Sequence, residues 1–188
     1  MARGGAREKM VEAKIEIRVA TVTDNTILAE FGAQTFYDTY AADTEPEDLA
    51  AYLAVSFSPE AQAAELADPR SVFFVAQAGT EIVGYARLKE GRPPEGITGQ
   101  HPIELERIYA SKAWIGKGIG PALIKACLNE AGRRGCDVIW LGVWERNTRA
   151  QAFYRKWGFV QAGTQSFKMG GELHRDVSMQ RRVGLKSA

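Results

Sequence analysis

The clearest chemical signal in the sequence is a seven-residue turn, Ile115-Gly-Lys-Gly-Ile-Gly120-Pro121, set between a predicted strand and a predicted helix. Small residues let an anion come close to the backbone there. Several N–H groups can converge on it, and the dipole of the following helix favours negative charge. Lys117 adds a cation at the mouth. The ligand that suits such a turn is a phosphate or pyrophosphate; the plain alternative is a strand–helix connection that binds nothing. A dinucleotide fingerprint would need glycine where Pro121 stands. No Lys-Ser or Lys-Thr pair follows, which excludes a Walker loop. Upstream, Glu104 and Glu106 lie two apart on a predicted strand, so their side chains share a face. Paired carboxylates there either draw in a cationic ligand or form a solvated strand face.

The bulk composition narrows the classes. The 188 residues carry 24 Lys and Arg against 23 Asp and Glu, a formal net charge of +1. That lacks the basic excess that nucleic-acid binding asks for. A chain that is 45% hydrophobic and 25% charged is an ordinary globular one with length enough for a core. The longest apolar run, 138–144, falls far short of the ~20 residues that span a bilayer, so no membrane partner is expected. The basic start, MARGGAREKM, has no apolar stretch after it and does not read as a secretory signal. Residues 1–13 are expected to be a disordered extension, 14–182 the folded domain and 183–188 a flexible tail. Cys127 and Cys136 are too few for a disulfide framework and read as reduced core thiols of a cytoplasmic protein. Two histidines and two cysteines offer no zinc spacing, so no metal is expected.

The elements that must position the turn follow from periodicity. Residues 14–19 alternate as a strand, and 25–40 repeat at helical spacing after Asp24. Pro46 and Pro59 each start a helix, the latter ending near Pro69. Residues 71–77 and 81–89 read as a hairpin around Gly79. Residues 91–101, with three Gly and two adjacent Pro, read as a mobile loop. A strand over 103–110 precedes the glycine turn, and a helix follows from Ile119 to about Arg134. The continuous apolar run 138–143 marks a strand covered on both faces. Asn147 caps a helix that ends near Gly158, and two strands, 159–166 and 172–179, complete the chain. This order predicts a mixed α/β sheet with helices on both faces.

Four blocks sit in linked order: Glu106-Arg-Ile-Tyr-Ala110, Gly116-Lys-Gly-Ile-Gly120, Trp140-Leu-Gly-Val-Trp-Glu-Arg-Asn147 and Ala152-Phe-Tyr-Arg-Lys-Trp-Gly-Phe159. Together they resemble the GNAT N-acetyltransferase superfamily. Further runs, Thr35-Phe-Tyr-Asp-Thr-Tyr40 and Gln165-Ser-Phe-Lys-Met-Gly170, make the chain most similar to PaiA-type spermine/spermidine acetyltransferases. The resemblance implies acetyl-CoA as cofactor and a GNAT fold whose central strands, 104–110 and 138–143, splay to admit the pantetheine arm. It implies that the backbone of Ile108, Tyr109 and Ala110 pairs with that arm. It also implies that Gly116, Lys117, Gly118, Ile119 and Gly120 hold the pyrophosphate, and that Asn147, Tyr154 and Lys156 contact the cofactor. Two departures are Ile115, where the family carries Gln or Arg, and Pro121, which removes one N–H.

Acyl transfer to an amine needs a neutral nitrogen, a route for its proton and a donor for the leaving thiolate. The resemblance puts Tyr154 forward as general acid, with a core tyrosine as the alternative. Glu106 is the first choice as general base and Glu104 the second, both expected to face the acceptor cleft together with Ile108. Tyr37, Asp38 and Tyr40 are expected to wall the acceptor site, joined by Trp144 and Glu145; aromatic faces beside a carboxylate suit a polyamine. His174 reads as structural or exposed, and Arg181, Arg182 and Lys186 as a solvated end. The expected function is acetyl transfer from acetyl-CoA to a primary amine, spermidine or spermine first. A protein N-terminus or another small amine, antibiotics included, is the enzymatic alternative. A noncatalytic acyl-CoA-binding regulatory module is the alternative of another class. A homodimer is expected because many relatives are dimers.

Overall fold

The structure, a computed structural model, describes residues 14–184. Its elements run β1 (Ile15–Val19), α1 (Asn25–Tyr40), α2 (Pro46–Ser56), α3 (Pro59–Ala67), β2 (Ser71–Ala78), β3 (Glu81–Glu90), β4 (Pro102–Ala110), α4 (Ile119–Arg133), β5 (Val138–Trp144), α5 (Thr148–Lys156), β6 (Val160–Met169) and β7 (Glu172–Arg182). The helix starts obey local chemistry. Pro46 and Pro59 open α2 and α3. The Ser58 hydroxyl accepts from the Ala61 amide at 3.1 Å, and the Asn147 side-chain oxygen accepts from the Ala150 amide at 3.1 Å.

The strands form one sheet in the order β1-β2-β3-β4-β5-β7-β6. Every neighbouring pair is antiparallel except β4 and β5, which are parallel. The β4–β5 pairing covers only Pro102–Glu104 against Val138–Trp140. The expected splay is therefore present.

Helices α4 and α5 cover one face of the sheet. Ile119, Leu123, Ile124, Cys127 and Ala131 line the buried stripe of α4, and they pack with Ile139, Leu141, Val143, Tyr154 and Phe159. The other face carries α1, α2 and α3 over two smaller clusters, one around Leu28, Phe73 and Tyr85 and one around Phe36, Leu49 and Phe57.

Three expectations change. The 91–101 loop is tied down: the Asp137 carboxylate accepts from the amides of Gln100 and His101 at 2.8 and 2.9 Å, and Gln180 accepts from Thr98 N at 2.9 Å. Glycine and proline content marked a turn-rich path but not the side chains that hold it. At the C-terminus, Val183 packs into the main core and donates to Asp137 O at 3.0 Å, so the packed chain reaches past 182. Arg181 is no solvated end: its guanidinium donates to Trp157 O at 2.7 Å. The extension 1–13 and residues 185–188, with Lys186, lie outside the described residues.

Candidate active site

The gap opens beyond Glu104 and Trp140, the last in-register pair of β4 and β5. On its far edge β4 stays paired with β3, where Ile108, Tyr109 and Ala110 face Ala86, Tyr85 and Gly84. On its far edge β5 stays paired with β7 through Trp144 opposite Asp176. The two edges that face each other thus carry backbone N–H and C=O groups without a strand partner. Such groups need partners, and an amide-bearing chain laid between them supplies these as an added strand does.

At the outer end of β4 the chain turns into α4. Gly116 and Gly118 take φ values of 83° and 90°, a region that glycine alone enters without strain. A Cβ at either position would meet nothing within 4 Å, so backbone conformation, not crowding, requires glycine there. Gly118 is the residue before α4, so Ile119 and Gly120 present first-turn amides that have no intrahelical acceptor. Ile119 is buried to 1% exposure and anchors this turn in the core. Lys117 is exposed, with its Nζ 5.0 Å from the Trp114 ring centroid. Lys156 is exposed at the end of α5, and Asn147 caps the start of the same helix.

Tyr154 is buried on the α4–α5 side, with ring centroids of Phe153 and Phe159 at 5.5 and 5.8 Å. Burial raises its pKa, so the phenol keeps its proton. It also lies close enough to Tyr40, on the opposite face of the sheet, to help raise that phenol's pKa, after burial, the Asp176 charge and Tyr52.

The acidic pair of β4 behaves differently from the simple alternation. The β3–β4 register shifts at Arg87 and Leu88, which face Arg107 and Leu105, so Glu106 is the extra residue of a bulge. A bulge puts consecutive residues on one face. Glu104, Glu106 and Arg107 therefore look toward α1–α3, whereas Leu105, Ile108 and Ala110 pack with α4. Ile108 does not share the face of the two glutamates, because the inserted residue breaks the period of two that predicted it.

Glu106 sits in a dense ion-pair cluster. Its carboxylate contacts buried Arg87, and it lies 3.3 Å from Lys89 Nζ and 3.7 Å from Arg107 Nε. Glu65 of α3 bridges the same arginines, at 2.7 Å from Arg87 and 2.6 Å from Arg107. Burial works to raise the Glu106 pKa, but Arg107, Arg87 and Lys89 overcome it and hold the group below its ordinary value. Such a carboxylate is a weak proton acceptor. Glu104 has no ion-pair partner among the described residues, and burial together with the Glu106 charge pushes its pKa up to about 7.

The proposed acceptor residues divide. Tyr40 stacks on Phe36 at 4.4 Å and meets the Trp144 ring at 5.0 Å, so α1 and β5 do come together. Tyr37 stands 51% exposed outside this aromatic group. Asp38 pairs with Lys112 at 3.0 Å and accepts from Gln34 at 3.0 Å. Glu145 is exposed just past β5. Asp43 pairs with Arg146 at 2.6 Å, so the end of α1 and the residues after it reach both lips of the gap. His174, expected to be structural or exposed, is buried with its ring 5.8 Å from Tyr40 and 6.1 Å from Trp144. Asp176 and Ser178 on β7 were not singled out at all; only the β5–β7 pairing brings them beside Trp144 and Gly142.

The profile of the acetyltransferase (GNAT) family matches residues 33–159. The chain belongs to the GNAT family. An uncharacterised N-acetyltransferase of Mycobacterium bovis is 33% identical over 86% of this chain and 99% of its own. Another uncharacterised N-acetyltransferase, from Lactobacillus delbrueckii subsp. lactis, is 29% identical over 89% of this chain and 98% of its own. Among solved structures, the PaiA N-acetyltransferase of Thermoplasma acidophilum in complex with coenzyme A superposes with a TM-score of 0.71 at 22% identity, covering 90% and 99% of the two chains. The GNAT fold, a mixed α/β sheet with helices on both faces, is thus the fold of this protein, and it is an acetyl-CoA-dependent N-acetyltransferase acting on an amine. No helix among the described residues is long and apolar enough to cross a membrane.

Proposed function

We propose that this GNAT enzyme acetylates a polyamine, with spermidine and spermine the preferred acceptors, by direct transfer within a ternary complex. The observation that carries the proposal is the placing of Glu104. It is a carboxyl with a pKa of about 7, without an ion-pair partner among the described residues, at the root of the β4–β5 gap and on the face that holds the Tyr40–Trp144 aromatic wall.

The residues present fit the cofactor. The unpaired edge at Ile108, Tyr109 and Ala110 suits the amides of the pantetheine arm. The Gly116–Gly120 turn, with Lys117 and Lys156 nearby, suits the phosphates. Asn147, whose side-chain oxygen caps α5, is read as a pantetheine contact through its remaining side-chain N–H groups. Acetyl-CoA, when bound, supplies the activated acyl group.

The chain supplies the proton chemistry. An amine arriving as ammonium must lose a proton before it can attack. Glu104, whose pKa lies close to neutrality, accepts that proton directly or through one water. The Glu106 charge helps to raise Glu104, a part played through that group in place of the base role first expected of Glu106. Tyr154, protonated because it is buried, donates to the departing sulfur. Holding both reactants in the gap supplies much of the remaining rate.

The test is an acceptor panel with acetyl-CoA, followed by thiol release and mass spectrometry of the product. Spermidine and spermine are expected to show the highest kcat/KM. Dipeptides or aminoglycosides ranking above them would overturn the polyamine assignment and leave the acetyltransferase standing.

A further inference from the structure

Opposite Glu104, across the gap, the β7 wing carries a second set of polar groups that the reaction chemistry leaves unused. Trp144 of β5 pairs with Asp176 of β7, and Gly142 pairs with Ser178. Val177 and Met179 point into the α4–α5 core, so Asp176 and Ser178 point to the other face, where His174 meets the Tyr40 ring. On that face three buried polar atoms have no hydrogen-bond partner among the described residues: Asp176 Oδ1, Ser178 Oγ and Trp140 Nε1. Ser178 is 0% and Trp140 4% exposed. Between them lies Gly142, where a Cβ would collide with Gln165 Nε2 and stand 3.2 Å from Asp176 Oδ2. The floor is therefore backbone overlaid by the Gln165 amide, with Asp176 Oδ1, Ser178 Oγ and Trp140 Nε1 unsatisfied around it.

Asp176 is half-buried, and its Oδ1 is buried without a hydrogen-bond partner among the described residues. A carboxylate oxygen desolvated in this way favours a donor, and two features around it match a cation. The Tyr40 and Trp144 rings, 5.0 Å apart, offer π faces beside it. Exposed Glu145 adds negative charge close enough to be felt at Asp176, while His174 on the same strand acts in the opposite sense.

We propose that Asp176 is a specificity-determining residue that receives the distal ammonium of a multiply charged amine acceptor while the reacting nitrogen sits at Glu104. The proposal rests on the polyamine reading above and deepens it. Register supports the reach. Glu104 lies beside Trp140 and Asp176 beside Trp144, so the two backbone positions are about 13 Å apart along the strands and about 10 Å apart across them. That span suits an extended aliphatic chain with a charge at each end, and a monoamine cannot bridge it.

The experiment compares steady-state kinetics of wild type and Asp176→Asn with spermidine, 1,8-diaminooctane and octylamine as acceptors. The expected result is a KM roughly tenfold higher for both multiply charged amines, kcat within about twofold, and an unchanged KM for octylamine. Asp176→Glu should recover part of the loss. Thermal melting checks that each variant folds, and Asp176→Asn should melt no lower than wild type because it removes a charge that burial disfavours. An unchanged spermidine KM, or an equal rise for octylamine, overturns the assignment of Asp176 while the polyamine activity stands. A wild-type enzyme that acetylates none of the polyamines overturns both.

Discussion

Glu104 and Trp140 form the last paired rung of β4 and β5, and everything the site does begins where that rung ends. Below it the sheet is continuous and Glu104 is held in place. Above it two strand edges face each other unpaired. The carboxyl thus sits at the root of the gap, partly desolvated, with its pKa at about 7. A raised carboxyl pKa is what a proton acceptor at neutral pH needs.

Activity should therefore rise with pH through about 7 as Glu104 loses its proton. In Glu104→Gln the kcat/KM profile should lose this limb and fall by roughly 10²-fold or more at pH 8. The corresponding Glu106→Gln variant should keep the limb, shifted downward in pH, because one neighbouring negative charge is gone.

The same group makes a stability prediction. The unfolded carboxyl ionises near 4.5, the ordinary glutamate value, whereas in the folded protein it holds its proton to about 7. Between those values the folded state binds more protons, so this contribution falls as pH rises. Glu104→Gln should raise the melting temperature at pH 8 and change it little at pH 4.5, as measured by calorimetry.

Tyr154→Phe should lower kcat by roughly 10²-fold and leave the acceptor KM and the melting temperature near wild type. The hydroxyl is the only group removed, and the ring keeps its place between Phe153 and Phe159.

Gly118→Ala puts a side chain at a φ of 90° where no neighbour obstructs it. The cost is backbone strain of about 1–2 kcal/mol. Coenzyme A binding by calorimetry should weaken roughly tenfold if the turn relaxes away from its phosphate-holding shape. The apo-protein fold should be retained.

Arg87→Met removes a buried cation shared by Glu65 and Glu106. Breaking a buried pair leaves uncompensated charge, so urea denaturation should show a loss of about 3 kcal/mol or more. The Glu106 carboxyl should titrate higher in the variant, visible by NMR.

Much of the fold was legible in the sequence because periodicity and caps are local. The Pro-led starts of α2 and α3, the apolar stripe of α4 and the capping Asn147 each carry their own signal. The glycine turn was legible for the same reason, since Gly116 and Gly118 answer to backbone angles alone. The bulge at Glu106 was not, because an inserted residue looks like any other until the partner strand shows the register. Nor was the fate of Glu106 itself, whose ion-pair partners are Arg87 and Lys89 of β3 and its own neighbour Arg107. Asp176 and Ser178 were invisible for a related reason. Nothing in Arg175-Asp-Val-Ser178 marks a site, and only pairing across the sheet brings that strand to the aromatic wall.

The central claim is that the β4–β5 gap and the following glycine turn hold coenzyme A. Amide hydrogen exchange with and without coenzyme A tests it most directly. Saturating cofactor should slow exchange at Ile108–Ala110 and Gly116–Gly120 and leave the β6–β7 hairpin unchanged. Saturable binding with no protection at either segment, or no binding at millimolar cofactor, would contradict the account.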